Sequence, residues 1–189
     1  MKVKTGVSVR HVHLNLEDYN LLFDEELAIK SKINQPGQFA ALQTVSLKNG
    51  DRVMENVRII GPLRSYTQVE ISRTDAYFFK LNPPVRASGC LDDSELITIV
   101  GPKGEITRKA CIIANRHIHI SKKQRENLGL DEDVYSVLVD GCRGGILHGV
   151  HIVEGDNSFF EMHIDTDDAN AFMIKQGDEV EIIKTENFD

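Results

Sequence analysis

Apolar and polar residues alternate with a period of two along much of the chain, in runs that are short. Such alternation sends successive side chains to opposite faces of a strand. It predicts strands over Val3–Val9, Phe39–Leu47, Val53–Ile60, Val69–Ile71, Leu96–Val100, Glu105–Ala114, Val134–Val139, Ile146–Val153 and Val180–Lys184. Turn formers punctuate these runs at Gln35-Pro36-Gly37, Gly61-Pro62, Asn82-Pro83-Pro84, Gly101-Pro102-Lys103-Gly104 and Asp140–Gly145. Asn49-Gly50 predicts a hairpin, because both residues tolerate the positive φ of a type I′ turn. Helical signals are fewer. Glu17–Lys30 carries a partly helical, charge-rich pattern. Asn15 and Ser121 read as N-caps of short helices, the second within a capping-box pattern ending at Gln124. Thr74 and Thr166 read as caps before Tyr77-Phe78-Phe79 and Asn170-Ala171-Phe172. Many short strands with four short helices predict a mainly β fold of two small β-barrels or curled sheets.

The pattern also repeats. Arg10-His11-Val12-His13-Leu14 returns as Arg116-His117-Ile118-His119-Ile120, and each copy leads into a capped helix. Further on, Val69–Ala76 matches Met162–Ala169 without a gap, which sets Glu70 opposite His163. Each half therefore offers a strand-borne His pair, a helix, a stretch of strands, a third candidate ligand and another helix. This is the signature of an internal duplication.

Composition narrows the reading. The formal net charge of -7 argues against a nucleic-acid surface, which needs concentrated positive charge. A few well-placed arginines would still suffice for a small anion. The three cysteines are scattered and odd in number, which points to a reducing, cytoplasmic setting without structural disulfides. No apolar run has the length of a membrane span, and no signal-peptide core opens the chain.

In a strand, His11 and His13 share one face, as do His117 and His119, so each pair can share one metal ion. Adding Glu70 to the first pair and His163 to the second gives His-His-Glu and His-His-His. Both sets suit zinc with an open fourth position, the mark of a catalytic site. His148 and His151 fall outside the repeat and read as ordinary. Arg64, six residues before Glu70, offers a planar fork suited to phosphate. Arg86 and Ser88 lie in Pro84-Val85-Arg86-Ala87-Ser88-Gly89, and nothing pairs Cys90 with a base.

Taken in order, Arg-His-Val-His-Leu, Gly61-Pro62-Leu63-Arg64, Thr67–Ser72, Pro84–Gly89, Arg-His-Ile-His-Ile and Met162–Asp167 resemble the propanediol-utilisation (PduL-type) phosphate acyltransferases. The resemblance implies two β-barrels, residues 10–114 forming the first and residues 1–9 plus 115–189 the second, with the site between them. It implies two zinc ions per chain, coenzyme A as substrate, and transfer of a short acyl group such as propanoyl or acetyl between coenzyme A and inorganic phosphate. By the same resemblance, His11, His13 and Glu70 hold the metal that meets the coenzyme A sulfur, and His117, His119 and His163 hold the second. Arg64 binds phosphate and Ser88 lines its pocket. Val9 stands where the family often has Asn, and Cys90 where it often has an acidic residue. Acyl-CoA and phosphate are the expected partners, with no nucleic acid and no membrane; the sequence leaves room for a homo-oligomer. Microcompartment-packaged relatives usually carry an N-terminal extension, for which His11 leaves no space, so the expectation is a free cytoplasmic enzyme, or one recruited to a shell by another part of its surface. A two-zinc hydrolase of thioesters or esters would use the same ligands without the Arg64 clamp. A metal-binding scaffold protein of a microcompartment would instead have closed ligand shells.

Overall fold

Each half of the chain begins with a strand that joins the barrel of the other half. The computed structural model describes residues 1–185. Its first repeat runs β1 (Lys2–Ser8), β2 (His11–His13), α1 (Leu16–Leu22), β3 (Ile29–Lys32), β4 (Phe39–Asn49), β5 (Arg52–Gly61), β6 (Gln68–Glu70), α2 (Arg73–Phe79), β7 (Val85–Arg86) and β8 (Glu95–Val100). The second runs β9 (Glu105–Ala114), β10 (His117–Ile120), α3 (Lys122–Leu128), β11 (Val134–Val139), β12 (Gly145–Glu154), β13 (Glu161–Asp165), α4 (Thr166–Phe172) and β14 (Glu179–Ile183). The chain divides into two compact units, Val9–Ala114 and Met1–Ser8 together with the chain from Asn115.

Both units close by the same set of pairings. In Val9–Ala114, β2 lies between β5, parallel, and β6, antiparallel. From there β6 pairs β9 in parallel, β9 pairs β8, β8 pairs β4, and β4 returns to β5. The short strands β3 and β7 add to β4 and β9. In the other unit, β10 lies between β12, parallel, and β13, antiparallel. There β13 pairs β1 in parallel, β1 pairs β14, β14 pairs β11, and β11 returns to β12. The two closed barrels are thus copies, with β1 taking in one the place that β9 takes in the other. Closure removes the unpaired edges that such short strands would otherwise expose.

Each barrel has its own core. One contains Val12, Leu14, Leu22, Ile59, Val69 and Phe79, the other Ile118, Ile120, Tyr135, Leu147, Val150 and Met162. Val12 and Ile118, the residues between the paired histidines, are fully buried. Burying a side chain of that size contributes ~1.5–3 kcal/mol, enough to fix which face of the strand looks inward. The imidazoles must then project from the other face. Among the described residues no helix is long and apolar enough to cross a membrane.

The mainly β architecture with four short helices is as the alternation predicts. Three local expectations are corrected. The helix expected over Glu17–Lys30 stops at Leu22, and Ile29–Lys32 is strand. Phe23 turns extended, with its ring stacked 4.9 Å from that of Tyr19. The segment after it is then held by Gln43, which accepts from Ala28 N and donates to Glu25 and to the Glu26 carbonyl. The hairpin is shifted by one residue: Asn49 pairs with Arg52, leaving Gly50-Asp51 as the loop with positive φ at Gly50 alone, as a type II′ turn needs. Asn49 instead uses its side chain to donate to the Phe79 carbonyl. The helix caps are Ser72 and Asp165 rather than Thr74 and Thr166. Ser72 forms a reciprocal capping box with Asp75, and Asp165 accepts from both Asp167 N and Asp168 N.

Candidate functional site

Pairing of β2 with β6 sets His11 opposite Glu70 and His13 opposite Gln68. These four side chains share the face opposite to buried Val12 and Val69. Nδ1 of His11 lies 2.8 Å from the Val9 carbonyl, and Nδ1 of His13 lies 2.9 Å from the Ile60 carbonyl. A carbonyl can only accept, so Nδ1 carries the proton in both rings and Nε2 of the neutral imidazole carries the lone pair. Glu70 Oε2 lies 3.4 Å from His11 Nε2, and Oε1 lies 3.7 Å from His13 Nε2. Burial pushes the His13 pKa down to about 4, against the opposing pull of Glu70, so the ring is neutral near pH 7.

A hydrogen-bond network extends from this group to Arg64. Gln68 Nε2 donates to Glu70 Oε1 at 2.6 Å and to Ser88 Oγ at 2.8 Å, while its Oε1 accepts from Gly89 N. Ser88 Oγ donates to Glu70 Oε1 at 3.4 Å and accepts from Arg64 Nη1 at 3.0 Å. Arg64 Nη1 also donates to the Tyr66 hydroxyl at 3.0 Å. Arg64 N donates to the Leu14 carbonyl, which anchors its backbone beside the end of β2. Among the described residues its Nε and Nη2 have no protein hydrogen-bond partner, so two donors of the fork remain for an anion. Arg86 is used differently, donating to the Asp92 carbonyl and pairing with Asp93 in its own loop. Cys90 is exposed, and buried Cys111 has its thiol pushed up to about 12 by desolvation, which makes it inert.

The second unit repeats the arrangement with different corners. His117 pairs with His163, and His119 with Glu161. His117 Nδ1 lies 2.8 Å from the Asn115 carbonyl, as His11 does from Val9. The Nε2 atoms of His117 and His119 approach to 3.2 Å, and His163 Nε2 lies 2.9 Å from Glu161 Oε2. His148 and His151 belong to neither group; His148 bonds Ser136 Oγ through Nδ1.

The arginine before each His pair has a role that the sequence did not disclose. Arg10 makes a two-point ion pair with Asp75, at 2.9 and 2.8 Å, and Arg116 makes one with Asp168, at 2.7 and 2.7 Å. Each aspartate is the third residue of the helix that follows the strand carrying Glu70 or His163. The arginines therefore tie the His strand to that helix, fixing the third residue against the pair. These bonds raise the pKa of both guanidiniums.

The donor chemistry fits a divalent cation. In each set of three, His11-His13-Glu70 and His117-His119-His163, one donor atom per residue lies within 4.8 Å of the others. Imidazoles whose Nδ1–H is held by a carbonyl and whose Nε2 faces the group are the usual arrangement around zinc.

The chain is similar to known proteins along most of its length. A family model described as phosphate propanoyltransferase matches residues 4–175. The phosphate propanoyltransferase of Thermotoga maritima is 46% identical over 95% of this chain and 88% of its own length. That of Rhodopseudomonas palustris is 44% identical over 97% of this chain and 83% of its own. That of Salmonella typhimurium is 43% identical over 89% and 82%. Coverage of nearly the whole chain by the family model, with relatives this similar, places the protein in the phosphate propanoyltransferase family.

Proposed function

We propose that the protein is a phosphate acyltransferase that moves a short acyl group, propanoyl or acetyl, between coenzyme A and inorganic phosphate. The reading rests on one observation above all. A guanidinium fork, Arg64, is hydrogen-bonded through Ser88 to the carboxylate of a His-His-Glu donor set. A hydrolase would need the donor set but not the fork.

In this reading His11, His13 and Glu70 hold one zinc ion, and His117, His119 and His163 hold another. Zinc would supply charge stabilisation for the carbonyl oxygen and for the departing thiolate. The chain's own residues do the rest. Arg64 binds phosphate through Nε and Nη2, while Tyr66 and Ser88 hold Nη1 and so set the plane of the fork. Gln68 fixes Glu70 and Ser88 together. A phosphate oxygen attacks the thioester carbon directly; the new C–O bond forms, the C–S bond breaks, and the electron pair leaves with sulfur. No protein nucleophile is needed. Ser88 Oγ already accepts from Arg64 and Gln68 and donates to a carboxylate, which suits positioning.

Thiol release from acetyl-, propanoyl- and butanoyl-coenzyme A, each with and without phosphate, tests the proposal. Release that needs phosphate and stops on chelation is expected. Release independent of phosphate would mean a thioester hydrolase instead.

A further inference from the structure

Two bonds bracket the segment that carries Arg64. At its start Arg64 N donates to the Leu14 carbonyl at 2.9 Å, and at its end Thr67 Oγ1 accepts from Asn15 N at 3.2 Å. The Thr67 hydroxyl in turn donates to Asp18 Oδ2 at 2.6 Å, so its one proton and an acceptor site are both committed. Asp18 lies in α1 with its side chain 3% exposed, and β9 supplies the counter-ion. Arg108 donates to Asp18 Oδ1 from Nε at 3.1 Å and from Nη2 at 2.6 Å. Leu14 and Asn15 follow His13 directly, so the bracket ties the Arg64 segment to the end of the His strand. Tyr66, which accepts from Arg64 Nη1, is the residue before Thr67.

The other unit shows which of these groups the barrel itself requires. There the first bond is kept, from Gly155 N to the Ile120 carbonyl at 3.0 Å, with a glycine in the place of Arg64. The other groups are all replaced. Asn15 and Ser121 are matching N-caps, so Gln124 stands for Asp18. Carrying the match of Val69 with Met162 back by two residues sets Phe160 against Thr67, and a phenyl ring offers no hydroxyl. Val69 pairs with Cys111 and Met162 with Thr5, so Lys2 stands for Arg108; Lys2 is exposed and lies 4.0 Å from Glu179. A closed barrel of the same topology therefore forms without carboxylate, hydroxyl or guanidinium at these positions. Burying a carboxylate is costly even when it is paired. The unit that carries this cost is the one that carries Arg64.

We propose that Asp18 and Thr67 are positioning residues for phosphate, holding the Arg64–Thr67 segment so that the Arg64 fork is fixed beside the His-His-Glu group. Neither touches a substrate. Arg108 neutralises Asp18, Asp18 orients the Thr67 hydroxyl, and Thr67 fixes the far end of the segment whose near end is held by Leu14. This role rests on that of Arg64 as the phosphate clamp, and adds the residues that set the clamp in place.

The test separates the two substrates. Thr67→Val removes the hydroxyl and leaves the Asp18–Arg108 pair, while Thr67→Ser keeps a hydroxyl. Steady-state kinetics vary phosphate and propanoyl-coenzyme A separately, with far-UV circular dichroism and zinc content measured on the same samples. Thr67→Val should raise KM for phosphate by roughly two- to tenfold, the scale of one net hydrogen bond, with KM for propanoyl-coenzyme A and zinc content unchanged. Thr67→Ser should recover most of the loss, and Asp18→Asn should shift phosphate in the same direction as Thr67→Val. In an Arg64→Ala background Thr67→Val should add nothing, because the two changes act on one contact. A folded Thr67→Val protein with wild-type phosphate saturation would overturn the proposal. So would losses that simply add to those of Arg64→Ala, or a parallel rise in both KM values, which marks general loosening. A Thr67→Val protein that does not fold would overturn it as well, since the hydroxyl would then serve the barrel. If Arg64→Ala itself leaves phosphate kinetics unchanged, the clamp falls and the positioning role with it. If Arg64→Ala impairs phosphate use and Thr67→Val does not, the clamp stands and only the positioning role is lost.

Discussion

Replacing Arg64 by alanine is the sharpest perturbation of the proposed reaction. The guanidinium donates through Nη1 to Tyr66 and Ser88, each at 3.0 Å, and among the described residues Nε and Nη2 have no protein hydrogen-bond partner. Loss of the side chain leaves Ser88 Oγ still bonded to Gln68 and Glu70, so the His-His-Glu group should persist. What disappears is the anion clamp. A hydrogen bond to a charged group contributes about 1.5–3 kcal/mol. At 1.36 kcal/mol per tenfold, that is a loss of roughly ten- to 150-fold in kcat/KM for phosphate. Lysine at this position restores charge without the two-point fork and should recover only part of it. Steady-state kinetics varying phosphate and propanoyl-coenzyme A separately are the assay, with zinc content measured on the same samples. Arg86→Ala is the control, because that side chain is tied to Asp92 and Asp93 in its own loop. If Arg64→Ala keeps wild-type phosphate saturation, the clamp lies elsewhere and the functional reading loses its main support.

Three further outcomes follow from the geometry. Arg10→Ala strands Asp75, whose side chain is 5% exposed, whereas Arg116→Ala strands Asp168 at 20%. Breaking a buried pair costs about 3–5 kcal/mol, reduced here by the one-third exposure of the arginine to roughly 1.5–3 kcal/mol, so denaturant titration should show Arg10→Ala as the more damaging change. In metal-stripped protein His13 titrates near 4 when folded and near 6.5 when unfolded, so between those values the unfolded state binds the extra proton and stability falls as pH falls. The span is worth ~3 kcal/mol, and denaturation between pH 4 and 7 should be flatter for His13→Gln; equal slopes would contradict the burial argument. Residues 9–114, expressed alone, contain all six strands of one barrel and should fold, whereas residues 1–104 lack β9, leave β6 and β8 with open edges, and should aggregate; equal solubility would refute the pairing.

Much of the fold was legible because alternation is a local signal. β9 begins and ends where its pattern does, at Glu105 and Ala114, and the Asn15 and Ser121 caps hold as expected. The misreadings are places where a distant contact decides. Charge-rich Glu17–Lys30 looks helical until Gln43, from another strand, takes up the backbone groups of Glu26 and Ala28. Asn49 looks like a turn residue until the Phe79 carbonyl claims its side chain. The true caps, Ser72 and Asp165, stand opposite each other in the gap-free match of Val69–Ala76 with Met162–Ala169, so the repeat itself held the correction.

The site divides along the same line. Strand periodicity alone puts two imidazoles on one face, and comparing the repeats adds Glu70 and His163. The Arg10–Asp75 and Arg116–Asp168 ties span 65 and 52 residues, and no short motif signals them. Their signal lay in the repeat: arginine just before each His pair, aspartate five residues after Glu70 and after His163. The two patches part company beside this match. The match begins at Val69 and Met162, and one residue earlier Gln68 stands opposite Glu161. The substitution of an amide by a carboxylate ends the similarity there, and in doing so marks where the two patches differ. A duplicated site is under the same steric rule in both copies, since each corner must fit its barrel. A corner at which the copies disagree in charge is therefore where their chemistry can diverge without disturbing the fold, and in this protein that corner touches His163 at 2.9 Å.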